Sequence, residues 1–360
     1  MRRCILFFCL ALVAAPCRAW DQNIESKVVP AISSEPDDPA WSKIPSVKVV
    51  LAPQKLLAPQ GGGAVSFIEV QSVRTSRDIY FRLRWPDAAK DSKFELSGQF
   101  VDAVAVQFPL LPDSMPSPFM GEKGKPVNIW RWSAAMQEPQ RFPVAYADYH
   151  RPDAVEKTIL YPTQAEDLAA EGFGTLTKRE QRSVSAKGIW ADGFWTAVFK
   201  RKLTVPDGTA FKKGTVLPVA FAVWDGSGKE RDGAKSFSVW HNLLLDRPAP
   251  ALAKNPIERG RRVYNRYGCA TCHGPAGEGG VPNPNSQVDP IPPLKRVAEG
   301  FTEEEIKAVI LKGRMPVAKD PNGLKPRLWM NSWKALMDEE ELHVLVDYLF
   351  SLMPKEEEGW

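Results

Sequence analysis

Several things are scarce in this 360-residue sequence. Histidine occurs four times, and His150 and His241 stand isolated in the first two thirds, so neither a metal cluster nor a catalytic triad assembles around them. Charge of one sign is also lacking. Of 47 Lys and Arg, three (Arg2, Arg3, Arg18) fall in the first 20 residues, which leaves 44 basic against 43 acidic side chains. No basic stripe remains to neutralise a phosphate backbone, and nucleic acid is excluded as a partner. Internal repeats and a phosphate-binding glycine loop are absent. Beyond the N-terminus no apolar run approaches the length needed to span a bilayer. The 44% hydrophobic content excludes a disordered chain, the mean hydropathy of −0.29 fits a soluble one, and the length suits two domains.

The first 19 residues read as an export signal. Arg2 and Arg3 are followed by a 12-residue apolar run, Cys4 to Ala15, and Cys17-Arg18-Ala19 ends in a small residue. The run is too short for an ordinary spanning helix, so cleavage after Ala19 and a periplasmic location are expected.

Cysteine is scarcer still after that segment. Cys4, Cys9 and Cys17 leave with it, and only Cys269 and Cys272 remain, in Cys269-Ala270-Thr271-Cys272-His273. Cys-x-x-Cys-His lets two thiols add to haem vinyl groups while the next residue supplies an imidazole to the iron. Zinc would need a second pair of ligands that the sequence does not contain, and a thioredoxin-like site would need a βαβ context.

The flanks predict helices. Pro256 to Tyr267 has Pro in its first turn and Gly268 at its end; Thr302 caps a helix through Lys312 that Gly313 stops; a last helix begins near Asp338. With Gly260-x-x-x-Tyr264, the Cys269-to-His273 motif and the helix containing Val346-Asp347-Tyr348-Leu349, residues 254 to 354 resemble class I cytochromes c. The resemblance implies an all-α domain with one covalent haem c, His273 on its iron and a methionine opposite. Met330 is expected in that role, because its loop feeds directly into the last helix and Met330-Asn331-Ser332-Trp333 resembles the family's ligand loop. Met315 is the alternative; Met337 and Met353 read as packing.

Before Asp246 the texture is different. Alternating runs recur at 65–74, 78–85, 100–108, 127–132, 194–205, 216–224 and 236–245, separated by turn signals such as Asp225-Gly226-Ser227-Gly228. They predict an all-β sandwich over 20–246, with a helical insert around Gln164 to Glu171, then a proline-rich linker at 247–255 and the cytochrome domain at 256–360. Pro118-Phe119-Met120-Gly121, Asn128-Ile129-Trp130-Arg131-Trp132, the 194–201 and 219–226 strands, and Lys235-Ser236-Phe237-Ser238-Val239-Trp240 resemble the ethylbenzene dehydrogenase gamma-subunit family, which includes dimethylsulfide dehydrogenase. That resemblance implies a non-covalent haem b held by a methionine and a lysine, and electron transfer beside a molybdenum oxidoreductase. Met120 is the expected methionine, with Met115 and Met136 as competitors. Lys235 is the expected lysine, with Lys200, Lys202 and Lys212 behind it. Trp130, Trp132 and Trp240 are candidate walls of the pocket, although a sandwich core needs such aromatics in any case.

The reading is a periplasmic dihaem electron carrier, not an enzyme, that passes electrons between a molybdenum enzyme and a soluble or membrane carrier. The alternative is a monohaem cytochrome c fused to a haem-free module that binds a ligand or partner. An enzyme with an open haem is disfavoured by methionine candidates at both sites.

Overall fold

The computed structural model describes residues 23–94, 98–138, 140–142, 157–159, 164–180 and 183–354; the segment read as an export signal and His150 lie outside them. Strands run from Asn23 to Leu245 and α-helices from Pro256 to Ser351. The strands are β1 (Asn23–Val28), β2 (Val47–Val50), β3 (Ala52–Pro53), β4 (Phe67–Arg74), β5 (Asp78–Pro86), β6 (Ala103–Pro109), β7 (Val127–Ser133), β8 (Gln140–Phe142), β9 (Lys157–Ile159), β10 (Glu166–Ala170), β11 (Thr177–Lys178), β12 (Ser185–Ala191), β13 (Phe194–Lys202), β14 (Thr215–Trp224), β15 (Ser236–Phe237) and β16 (His241–Leu245).

One path of hydrogen bonds connects eleven of them in the order β11-β10-β7-β6-β14-β16-β1-β4-β5-β13-β12; β2 pairs with β4, β15 with β14 and β3, and β8 with β9 in a separate pair. The sheet turns back on itself, because rings from its two halves meet: Phe81 of β5 lies 5.4 Å from Phe108 of β6, and Trp132 of β7 lies 5.1 Å from Trp195 of β13. This is the sandwich, and its core is the apolar set between the halves, including Ile68, Phe81, Val106, Trp130, Phe199 and Leu243. β1 runs parallel to both of its neighbours, β16 and β4, and joins the halves.

The expected helix at 164–171 is instead β10. Its period-two alternation sends Leu168 and Ala170 to the outer face, while Asp167 points inward to accept hydrogen bonds from Asn128 Nδ2 at 2.7 Å and Ser183 Oγ at 2.8 Å. Pairing with β7 overrides the local helix preference of Glu, Leu and Ala. The predicted 236–245 strand is two short strands, with Val239 and Trp240 between them.

The helices are α1 (Pro256–Arg266), α2 (Ala270–His273), α3 (Val297–Gly300), α4 (Glu303–Lys312) and α5 (Glu339–Ser351). Asn255 caps α1, and reciprocal capping boxes, Thr302 with Glu305 and Asp338 with Glu341, open α4 and α5. Gly260 makes the α1–α5 crossing possible, since a Cβ there would stand 1.9 Å from the Val344 carbonyl oxygen. Tyr264, one turn on, meets Tyr348 edge-on at 5.4 Å. No helix of the described residues is long and apolar enough to cross a membrane.

Candidate functional site

The Cys-x-x-Cys-His segment is a single helical turn hung from the end of α1. Cys269 N donates to Tyr264 O at 3.0 Å, and the Tyr264 hydroxyl donates to Gly274 O at 2.6 Å, which pins both ends of the motif. Gly268 allows the entry: its φ is 70°, and a Cβ would stand 2.6 Å from the Phe119 ring. Cys269 and Cys272 are free thiols, and burial pushes them up to about 12 and about 11. Burial also lowers His273 to about 4, so the imidazole is neutral, the form that binds a metal. Its Nδ1 is buried with no hydrogen-bond partner.

Both thiols pack in one apolar cluster with Leu294, Val297, Leu311 and Met330. The two candidate methionines sit on neighbouring backbone. Arg314 and Met330 exchange hydrogen bonds of 3.0 and 2.9 Å, yet Met330 is half-buried in the cluster and Met315 is 63% exposed. Met337 is buried in the same core, and Met353 is exposed. Unpaired thiols, a neutral imidazole and a thioether on one apolar cluster fit a covalent haem.

In the sandwich, Met120 and Lys235 come to one face. The outer side of β6, β7, β10 and β14 is apolar and floored by small residues: Ala103, Ala105, Ala170, Ala220 and Ala222, with Val127, Ile129, Leu168, Trp224 and Trp240. Met120 packs on it from a turn in which Gly121 N donates to Ser117 O at 3.1 Å. Its φ is 68°, a left-handed conformation that costs a long side chain energy and is kept only where the surroundings over-determine it.

Lys235 is half-buried with its Nζ 5.1 Å from the Trp224 ring centroid. Burial lowers its amine to about 8, Arg131 adds to the shift and Asp232 opposes it. Its backbone is clamped, with Gln54 N donating to its carbonyl at 3.0 Å and Gly62 lying so close that a Cβ would stand 2.3 Å away. A flat alanine floor, a thioether and a readily neutral amine fit a second haem.

Trp240 belongs to this face, its Nε1 donating to Pro116 O at 2.8 Å beneath the Met120 turn. Trp130 and Trp132 do not. They alternate with Ile129 and Arg131 to the other side of β7 and fill the core between the sheet halves, which corrects the expectation that all three walls belong to one pocket. Lys200 pairs with Asp78 at 3.5 Å on β13, and Lys202 and Lys212 are exposed; none is on the Met120 face. Met115 is exposed, and Met136 is buried just past β7.

Sequence reasoning missed the residues that join the two sites. Phe119, beside Met120, lies 5.4 Å from Phe237 and 6.2 Å from Trp333, which in turn is 5.4 Å from Tyr267. Polar contacts frame this cluster: Thr271 Oγ1 to Ser117 Oγ at 2.6 Å, Arg266 Nε to Trp240 O at 2.7 Å, and Lys55 N to Asn331 Oδ1 at 2.9 Å. The paired alanines two apart on β6 and β14 were a legible signal for the flat face.

Comparison with known proteins agrees with both halves. The ethylbenzene dehydrogenase family model matches residues 38–236, and the cytochrome c model matches residues 257–353. A respiratory nitrate reductase heme subunit of Haloferax mediterranei is 34% identical over 223 residues, covering 61% of this chain and 71% of that protein. The chlorate reductase gamma subunit of Ideonella dechloratans is 28% identical, covering 59% and 79%. For the dimethylsulfide dehydrogenase gamma subunit of Rhodovulum sulfidophilum the figures are 28%, 62% and 78%. Among solved structures, a family 9 carbohydrate binding module from Caldicellulosiruptor kristjanssonii is similar at a TM-score of 0.34 and 10% identity, covering 65% of this chain and 98% of that one, too loose a likeness to bear on function. The chain belongs to the ethylbenzene dehydrogenase family and joins that domain to a cytochrome c domain, which makes it an electron-transfer haem protein and not a catalytic subunit.

Proposed function

We propose that this chain is the haem subunit of an exported, molybdenum-containing oxidoreductase, and that it relays electrons between that enzyme and a soluble or membrane carrier. The names of its relatives support the enzyme partner. The Arg2-Arg3 start, the apolar run and Ala19 support export to the periplasm. When bound, haem c and haem b supply reversible one-electron exchange.

The residues divide the work. Cys269 and Cys272 would anchor haem c, with His273 and Met330 on its iron. Met120 and Lys235 would hold the iron of haem b, with Trp240 and the alanines against the ring. His273 is neutral and Lys235 is poised to be, so neither must shed a tightly held proton to bind metal. Phe119, Phe237 and Trp333, packed ring against ring, would exclude water between the sites.

One observation carries the reading: the loops bearing Met120, Lys235 and Met330 meet in a single aromatic cluster. Acidified-acetone extraction tests it, followed by pyridine haemochromes of extract and pellet. Haem b is expected in the extract and haem c in the pellet, in equal amounts. Haem c alone would make the sandwich a haem-free docking module.

A further inference from the structure

Three carboxylates converge at one end of the sandwich, next in sequence to Ala103 and Trp224 of the alanine-floored face. Asp87 follows β5, Asp102 precedes β6 and Asp225 follows β14, so the group spans both halves of the sheet. One ligand oxygen from each lies within 4.8 Å of the others. Asp87 is 5% exposed and Asp102 is fully buried, a costly placement for two like charges.

Donors satisfy most of these oxygens. Asp102 accepts from Gly226 N at 2.9 Å, Asp91 N at 2.7 Å and Trp195 Nε1 at 2.8 Å. Asp225 accepts from Gly228 N at 2.9 Å, and Asp87 Oδ1 from Ala89 N at 3.1 Å. Asp87 Oδ2 is different: it is buried and receives no hydrogen bond. Among the described residues, the charged groups that act most on Asp87 and Asp102 are themselves carboxylates: Asp102 and Asp225 on the first, Asp91 on the second. A buried carboxylate with one orphaned oxygen, within 4.8 Å of two further carboxylates, is a charge arrangement that a cation completes.

The dimensions accommodate calcium. Calcium binds oxygen at about 2.3–2.6 Å, so two of its ligands stand at most about 5 Å apart, and the observed spacing meets that limit. Magnesium demands a tighter octahedron and retains water, and with no nitrogen or sulfur donor present a transition metal has little preference for the site. We propose that Asp87, Asp102 and Asp225 bind one calcium ion that ties the end of β5 to β6 and β14, locking the two halves of the sheet together.

Haem-loaded, full-length protein tests this after dialysis against EGTA. Returning calcium is expected to restore one tightly held ion per chain by metal analysis and to raise the thermal midpoint, while equimolar magnesium does neither. Asp225→Asn, at the least buried of the three, is expected to lose both the ion and the calcium-dependent shift. Identical melting in EGTA and in calcium, with no ion retained, would overturn the site and leave a proton shared between Asp87 and Asp102. Calcium retained by Asp225→Asn and by Asp87→Asn would overturn it too, by placing the ion elsewhere. Should the variants fail to fold, the wild-type comparison decides alone.

Discussion

Phe119 and Trp333 lie with ring centroids 6.2 Å apart, one in the turn that presents Met120 and the other three residues past Met330. Their contact belongs to the core of the cytochrome helices, so the sandwich contributes a side chain to its neighbour's interior. Phe119→Ala should cost about 3–5 kcal/mol, the usual loss for a buried phenylalanine. It should also split one thermal transition into two, with haem c absorbance and tryptophan fluorescence melting at different temperatures. Coincident melting curves would show that the polar contacts alone couple the halves.

The two candidate haem c methionines are separable by their optical signature. A thioether ligand gives the oxidised protein a weak band at the red end of the visible, and it raises the potential. Met330→Ala should abolish the band and lower the potential, by a sizeable part of the roughly 0.8 V that axial ligands span. Met315→Ala, at an exposed position, should leave both unchanged. The opposite pattern transfers the role to Met315.

Lys235 is expected on the haem b iron. Lys235→Ala should convert that haem from low spin to high spin at neutral pH without disturbing the haem c bands. Met120→Ala should retain haem b poorly through gel filtration. Wild-type spectra in Lys235→Ala would mean that another residue completes the ligand pair.

Gly260→Ala reverses an ordinary expectation. In an exposed helix interior this change gains about 1 kcal/mol. Here the new Cβ would collide with the Val344 carbonyl and the Tyr348 Cβ, so α1 and α5 must separate. Overpacking of this kind costs about 1–3 kcal/mol, read as a lower midpoint in denaturant. A stabilised variant would show that the crossing adjusts freely.

Glu341 supplies a pH dependence. It is fully buried, and burial raises its carboxyl above the ordinary 4.5 even with Arg266 at 3.0 Å and the Tyr267 hydroxyl at 2.6 Å. A carboxyl raised on folding holds its proton more tightly in the folded state. Its contribution is complete below the unfolded value and is lost as pH rises through the folded one. The thermal midpoint of Glu341→Gln, relative to wild type, should therefore climb as pH rises above the ordinary carboxyl value of 4.5. A relative midpoint that falls would show that Arg266, not burial, governs the group.

Some of this was legible because the chemistry is local. Cys269, Cys272 and His273 lie within one helical turn, and the caps at Asn255, Thr302 and Asp338 act on backbone two or three residues away. Alternation likewise marked most strands of the sandwich, since neighbouring side chains must point to opposite faces.

It did not mark which face was which. β7 is apolar on both sides, so pattern alone left Trp130, Trp132 and Ile129 equivalent; only the opposing sheet half decided that the tryptophans fill the core. The segment read as a helix at 164–171 became a strand because β7 offered it a partner.

By itself, then, the sequence determined the haem c attachment motif, the cytochrome helices and the β character of the first domain, all set by interactions a few residues long. Only the tertiary structure decided that Met120 and Lys235 both reach one alanine-floored face, that Phe119 enters the cytochrome core and that three aspartates close on one another. Those contacts join residues far apart in the chain, and distance across a folded sheet leaves no trace in the local pattern.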